Sequence, residues 1–593
     1  MEDPISEGQS PLYIPADAPF TEAQRHWLNG FFAGARSRLA RRDEEGAAST
    51  TPITILYGTQ TGNSEGLALR AGDLARERGM KPSVLGMDDI NPEDFSGVER
   101  MLIVISTYGE GEMPDNAQTL WEAMSAEGAP KLEGLNYSVL SLGDTNYDLF
   151  CQAGKDWDRR LQELGAARAY DRVDCDLDFE APFETWVDGA LNALGAGAAS
   201  AVSSGVDAST GKEEDTAVKW SKKNPFPAKL LKNELITSPE SSKETRHYEI
   251  SLAGSGMDYS VGDALGVQPI NDPDLVNQLL QSLGASGDEL VPGTQGEEPV
   301  PLREALATHY EVKTPTRKLI VAVAERSEDA ELLGLIREEA KDALKDFMWG
   351  RDVIDLLVDY PKAKLEAETF VGLLSRLNPR LYSIASSIAK HPDEVHLTVA
   401  SVRYDSRGRE RKGVCSTYMA DLVPIGETMP VFLAPNKHFG VPEDDGLPMI
   451  MVGPGTGIAP FRAFLEEREV RDAKGKNWLF FGDRTRKDEF LYEEQLEGYV
   501  KSGLLNRLDL AFSRDQAEKV YVQDRMRENG AELYAWMEEG GYFFVCGDAS
   551  RMAKDVDQAL HDVIAEHGKM SAEDAAEYVK RLKKEKRYVR DVY

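Results

Sequence analysis

Ile53-Thr54-Ile55-Leu56-Tyr57 is a β-branched, apolar run that passes into Gly58-Thr59-Gln60-Thr61-Gly62-Asn63-Ser64 and then into a helical pattern. A buried strand that delivers a glycine- and hydroxyl-rich turn to a helix N-terminus is the repeating unit of an open α/β sheet. The unit recurs twice. Met101 to Ile105 leads to Ser106-Thr107-Tyr108-Gly109-Glu110-Gly111, and Tyr137 to Ser141 leads to Leu142-Gly143-Asp144-Thr145-Asn146-Tyr147. All three turns follow the carboxyl ends of strands, the edge at which such sheets take ligands. The first offers hydroxyls and backbone N–H groups suited to a phosphate monoester. It contains no lysine, which excludes a nucleoside-triphosphate P-loop. Tyr108 and Tyr147 are placed to sandwich a flat ring, although either one alone reads equally well as a structural loop tyrosine.

A second α/β pattern closes the chain. Pro448 to Val452 enters Gly453-Pro454-Gly455-Thr456-Gly457-Ile458-Ala459-Pro460, and Trp478 to Gly482 and Tyr542 to Gly547 are further strand–glycine turns. The glycine loop departs from the G-x-G-x-x-G fingerprint, and the carboxylate that would bind a ribose is replaced by Ser513, Arg514, Lys519 and Tyr521. Two cations and two hydroxyls in that place favour a 2′-phosphate, hence NADPH over NADH. The plain alternative is a surface cluster.

Between these units lies Arg380-Leu381-Tyr382-Ser383-Ile384-Ala385-Ser386-Ser387, which reads as one β-strand with Arg380 and Tyr382 on one face. A guanidinium suits a pyrophosphate, and an aromatic two residues away can lie against an attached ring system. Gly413-Val414-Cys415-Ser416-Thr417 adds a small-residue turn whose N–H groups point to the same anion. Read alone, the stretch is equally an ordinary barrel strand with a surface arginine. Further β-type stretches are Arg246 to Leu252, Tyr259 to Val267 and Val395 to Ala400, and a Leu-rich helical insertion runs from about Asp272 to Arg376.

The chain of 593 residues exceeds a single core and predicts several domains. Its net charge of −34 disfavours nucleic acid and anionic membrane and suits steering toward a basic partner; acidity for solubility alone is the alternative. Cys151, Cys175, Cys415 and Cys546 are too scattered for a metal cluster or a disulfide framework, which predicts a reducing cytoplasm. No signal peptide is read at the N-terminus, and no apolar run approaches the roughly 20 residues that span a bilayer. Residues 1–50 read as an arm followed by a helix from Thr21 carrying Trp27, Leu28, Phe31 and Phe32, which either packs on the parent domain or mediates self-assembly. Residues 196–218, rich in Ala, Ser and Gly, read as a flexible linker reaching roughly 25 Å, or as a passive tether.

Taken in order, Gly58 to Ser64, Arg380 to Ser387, Gly413 to Thr417, Gly453 to Arg462, Ser513 to Gln523 and Cys546 to Val556 resemble the NADPH-dependent diflavin reductases over nearly the whole chain. The closing Arg590-Asp591-Val592-Tyr593 is similar to that of the flavoprotein (alpha) subunits of assimilatory sulfite reductases. The resemblance implies a flavodoxin-like FMN domain (51–195), an FAD-binding antiparallel β-barrel with a helical insertion (219–445) and a doubly wound NADP-binding domain (446–593). It implies FMN contacts from Thr59 to Ser64, Ser106 to Gly109, Leu142 to Tyr147 and Cys151. It implies FAD contacts at Thr316, Arg380 to Ser383, Thr398, Val399, Ala400, Tyr404 and Gly413 to Ser416, and NADPH contacts at Gly455, Thr456, Ser513, Arg514, Lys519 to Gln523, Asp555 and Tyr593. Ser383, Cys546 and Asp591 would surround the hydride-transfer junction, with Tyr593 over the flavin. The implied acceptor is the hemoprotein subunit of sulfite reductase, carrying siroheme and an iron–sulfur cluster; the alternative is another redox protein such as a soluble cytochrome.

Overall fold

The computed structural model describes residues 51–593 except 61, 109–110, 127, 144–148, 177–178, 196–219, 294–297 and 550. The expected arm, N-terminal helix and linker therefore lie outside the described residues.

The first sheet is parallel, in the order Met80–Gly86, Thr51–Gly58, Arg100–Ser106, Asn136–Leu142, Ala167–Arg168, with Val173–Cys175 also pairing with Asn136–Leu142. Met101 to Ile105 is buried throughout, because helices cover both faces of such a sheet and leave no face for polar residues. Small residues bring the helix Asn63–Glu77 down onto this sheet: a Cβ on Gly72 would meet Val84 Cγ2 at 2.8 Å. The 2-1-3-4-5 strand order is that of flavodoxin-like folds, with ligands expected at the first turn.

The second sheet is antiparallel: Arg380–Ser383, Ala264–Val267, Thr428–Ala434, Phe226–Leu235, Thr245–Ser251, Glu394–Ala400. Its two edges meet at a bridge between Ile384 and Leu397, reinforced by Ala385 N–H donating to His396 O at 2.8 Å, so the sheet curls until its first and last strands touch. Helices from Pro273–Leu283 to Ala367–Gly372 form the insertion around their own core of Leu279, Leu306, Ile320 and Phe370.

One expectation is corrected here. Arg380 to Ser387 is not one strand; its ladder with Ala264–Val267 stops at Ser383, and Ile384 bridges to the other edge of the sheet. The later hydroxyls turn inward. Ser386 Oγ lies 2.8 Å from Tyr259 OH and accepts from His396 N–H, and Ser387 Oγ donates to Glu467 Oε2 at 2.6 Å.

The third sheet is parallel, in the order Arg507–Phe512, Asn477–Asp483, Met449–Val452, Tyr542–Gly547, Tyr588–Val592. Its last strand carries the C-terminal motif, paired from Phe543↔Tyr588 to Gly547↔Val592. Among the described residues no helix is long and apolar enough to cross a membrane.

Candidate functional site

The first glycine turn is built for an anion. Gly62, at φ +87°, bends the chain into the helix that starts at Asn63, and its N–H donates to Thr59 Oγ1 at 2.9 Å. Thr59 N–H donates to Asn116 Oδ1 at 2.7 Å, which fixes the turn against the start of the helix Asp115–Ser125. Ser64 is fully buried, and its Oγ has no hydrogen-bond partner among the described residues. A buried hydroxyl left unpaired at a helix N-terminus fits the phosphate of FMN, which would supply the missing acceptor.

Ser106 Oγ reaches Gly58 O at 3.5 Å, and Thr107 Oγ1 accepts from Ala153 N–H at 3.2 Å, so the second turn is tied to its neighbours. Leu142 is buried, and Gly143 N–H donates to Cys175 O at 2.9 Å. Cys151 is buried at φ +55°, its thiol donating to Ser141 O at 3.4 Å and lifted to about 12 by burial. Thr61, Gly109, Asp144, Thr145, Asn146 and Tyr147 lie outside the described residues. Tyr108 donates its hydroxyl to Val592 O at 3.3 Å, so it bridges the first and third units.

On the antiparallel sheet, Arg380 pairs with Glu311 Oε2 at 3.1 Å and donates to Asn378 O at 2.7 Å, leaving about a third of its side chain open. Leu381 and Tyr404 are exposed, Tyr404 beneath the Lys313 ammonium, and burial pushes the Tyr382 phenol well up. The Arg380 guanidinium, part of it open, fits the pyrophosphate of a dinucleotide such as FAD. Thr398 Oγ1 lies 2.6 Å from Tyr492 OH on the strand that also carries Val399 and Ala400. Thr316 is occupied as a helix cap: its Oγ1 accepts from Leu319 N–H at 3.0 Å and donates to Leu373 O. Gly413 precedes the short helix Val414–Thr417, where Cys415 is buried and Ser416 Oγ accepts from Val402 N–H at 3.1 Å.

The antiparallel sheet and the third sheet converge at one point. Ser383 Oγ donates to Asp591 Oδ2 at 2.7 Å, and Cys546 Sγ lies 3.9 Å from the same oxygen. Burial raises the Asp591 carboxyl, and the bonds from Ser383 and Cys546 draw it partly back. Burial, with the Asp591 charge adding, pushes the Cys546 thiol well up, so it is a neutral packing group and not a nucleophile. Thr456 Oγ1 and Tyr593 OH share a hydrogen bond of 2.9 Å beside this junction, next to Gly455 at φ +59°. Ser513, Arg514 and Lys519 follow the strand Arg507–Phe512, with both cations exposed. Tyr521 is 43% exposed, while Val522 is buried and Val520 packs at the edge of the core. Gln523 Nε2 donates to Asp555 Oδ2 at 3.3 Å. The exposed cations at this edge fit the 2′-phosphate of NADPH.

A set of contacts between the first unit and the rest was missed in the sequence. Arg590 clasps Asp115, Lys584 pairs with Asp89 at 2.7 Å, and His438 and Lys586 both approach Glu65, at 2.7 and 3.5 Å. Opposite charge was their only local signal.

The chain matches the family models described as Flavodoxin (55–186), FAD binding domain (219–418) and Oxidoreductase NAD-binding domain (451–558). It is 43% identical to the sulfite reductase [NADPH] flavoprotein alpha-component of Bacillus subtilis, over all of this chain and 99% of that protein. It is 44% identical to the protein of that description from Vibrio vulnificus, over all of this chain and 97% of that protein. The chain takes FMN, FAD and NADPH as cofactors. It belongs to the family of sulfite reductase [NADPH] flavoprotein alpha-components and is an oxidoreductase.

Proposed function

We propose that this chain passes electrons from NADPH through FAD and FMN to the hemoprotein subunit of sulfite reductase, which reduces sulfite to sulfide. Bound flavins supply the exchange of a hydride for single electrons. The observation that carries the reading is the convergence of Ser383, Cys546 and Asp591 from two sheets onto one carboxylate oxygen.

At that junction the Asp591 carboxylate supports positive charge developing on a nicotinamide, and Ser383 orients it. Cys546 packs as an uncharged thiol, and Tyr593 shields the flavin face until nicotinamide enters. Arg514 and Lys519 hold the 2′-phosphate, and Thr59 and Ser64 hold the phosphate of FMN. The units are assigned as 51–195, 219–445 and 446–593, joined across 196–218 by a linker long enough for the first to leave its neighbours and meet a partner. Steering of that partner follows from the net charge of −34, and the compartment that suits four free cysteines is the cytoplasm.

The test is reconstitution. Purified chain with the hemoprotein subunit should oxidise NADPH in step with sulfide formation, and the chain alone should form none. Reduction of a soluble cytochrome without any sulfide formed in the reconstituted mixture would transfer the assignment to another acceptor.

A further inference from the structure

Tyr593 is the last residue, and 61% of its surface is exposed, so packing alone does not fix its ring. Its main chain is nevertheless pinned on both sides. Tyr593 N–H donates to Gly547 O at 3.0 Å, and Ala549 N–H donates to Tyr593 O at 3.1 Å. The terminus cannot peel away without losing both bonds; the ring can still turn about χ1. What holds the ring is its hydroxyl, 2.9 Å from Thr456 Oγ1.

Thr456 is itself held rigidly. Gly455 adopts φ +59°, which only glycine takes without strain. Gly457 lies so close to the end of strand Tyr542–Gly547 that an added Cβ would sit 2.1 Å from Cys546 O. The loop therefore packs directly on the strand end at the junction, with the hydroxyl between these glycines opposite the Tyr593 ring.

We infer that Thr456 is a positioning residue that latches the Tyr593 ring over the nicotinamide position and so contributes to discrimination between NADPH and NADH. The inference rests on the shielding role given to Tyr593 under Proposed function. A nicotinamide must break the latch as well as displace the ring. NADPH offsets that cost through contacts to its 2′-phosphate; NADH has no such contact.

Tyr593→Phe tests this, because it removes the hydroxyl and keeps the ring and both backbone bonds. In the holoenzyme, calorimetry should show NADP+ binding about two- to tenfold tighter, the range of one net hydrogen bond, and kcat/KM for NADH should rise by a similar factor. Binding of 2′,5′-ADP, which carries no nicotinamide, should not change. Unchanged NADP+ binding and NADH turnover in Tyr593→Phe would overturn the latch. Equal tightening of 2′,5′-ADP would also overturn it, by showing general loosening of the loop. If the parent protein does not bind 2′,5′-ADP, the nucleotide site itself is wrongly placed, which is a separate failure.

Discussion

Arg590 and Asp591 are adjacent on the strand Tyr588–Val592, yet they serve different units. Because neighbouring strand residues point to opposite faces, Asp591 reaches Ser383 on the antiparallel sheet while Arg590 donates through both Nε and Nη2 to the carboxylate of Asp115 in the first unit. Asp115 continues to Gln60 in the phosphate turn, whose Nε2 lies 3.1 Å from Asp115 Oδ2. Burial alone would raise the Asp115 carboxyl; the Arg590 guanidinium, aided by Lys583 and Gln60, holds it below its usual value.

Arg590→Met should therefore loosen docking of the first unit without unfolding anything. Removing one partner of a buried ion pair costs about 3–5 kcal/mol where the other stays buried. Here Asp115 regains water when the unit undocks, so the expected penalty is nearer 1.4 kcal/mol, about a tenfold shift toward the undocked form. Small-angle scattering should show a larger radius of gyration, and NADPH–ferricyanide activity should hold while flavin-to-flavin transfer slows. An unchanged scattering profile would show that Arg590 does not set the docking.

The role proposed for the Asp591 charge predicts a pH-dependent hydride transfer: activity should fall as the medium is acidified through a value above the ordinary carboxylate range. Ser383 donates to the charged form and lowers that value. Ser383→Ala should move the acid limb of kcat/KM for NADPH upward by about one pH unit, since a bond to a charged group contributes about 1.5–3 kcal/mol and each unit is about 1.4. Ferricyanide reduction across the pH range reads this. A lower rate with the limb in place would give Ser383 a role other than tuning Asp591.

Ser64 offers a prediction in which stability and binding move in opposite directions. Its buried Oγ lacks a partner among the described residues, so Ser64→Ala removes a desolvated group from the flavin-free protein. Tm of that form should stay level or rise. FMN affinity should fall about tenfold or more, the value of a charge-assisted hydrogen bond. Loss of Tm with FMN affinity intact would mean that Ser64 is structural.

What could be read from the sequence follows interaction range. Ile53 to Tyr57, Met101 to Ile105 and Tyr137 to Ser141 are mostly apolar runs because each strand is covered on both faces, and each turn follows its strand directly. Arg380 to Ser387 misled because the residues after Ser383 keep a strand-like composition while their hydroxyls serve Tyr259, His396 and Glu467 elsewhere in the chain. Ser383 and Asp591 lie 208 positions apart, and Arg590 and Asp115 lie 475 apart. No periodicity brings such residues together. The first pair was foreseen by family resemblance alone, and the second was not foreseen.

Arg514 and Lys519 are exposed on the loop after Arg507–Phe512, and the loop's place is set by backbone bonds: Ser513 N–H to Asp483 O at 2.9 Å and Arg514 N–H to Arg484 O at 2.7 Å. Replacing either side chain should leave those bonds and the fold intact. Exposed cations act on a dianionic phosphate through a screened field, so each should contribute a modest and salt-dependent share. Arg514→Ala should weaken 2′,5′-ADP and NADPH about tenfold, the loss of one charge-assisted hydrogen-bonded contact. NADH kinetics should be untouched, because NADH presents no group to that guanidinium. Raising ionic strength should raise KM for NADPH in the parent protein and less so in Arg514→Ala, with KM for NADH flat in both. Equal weakening of NADPH and NADH by Arg514→Ala would show that the side chain supports the loop and does not read the phosphate.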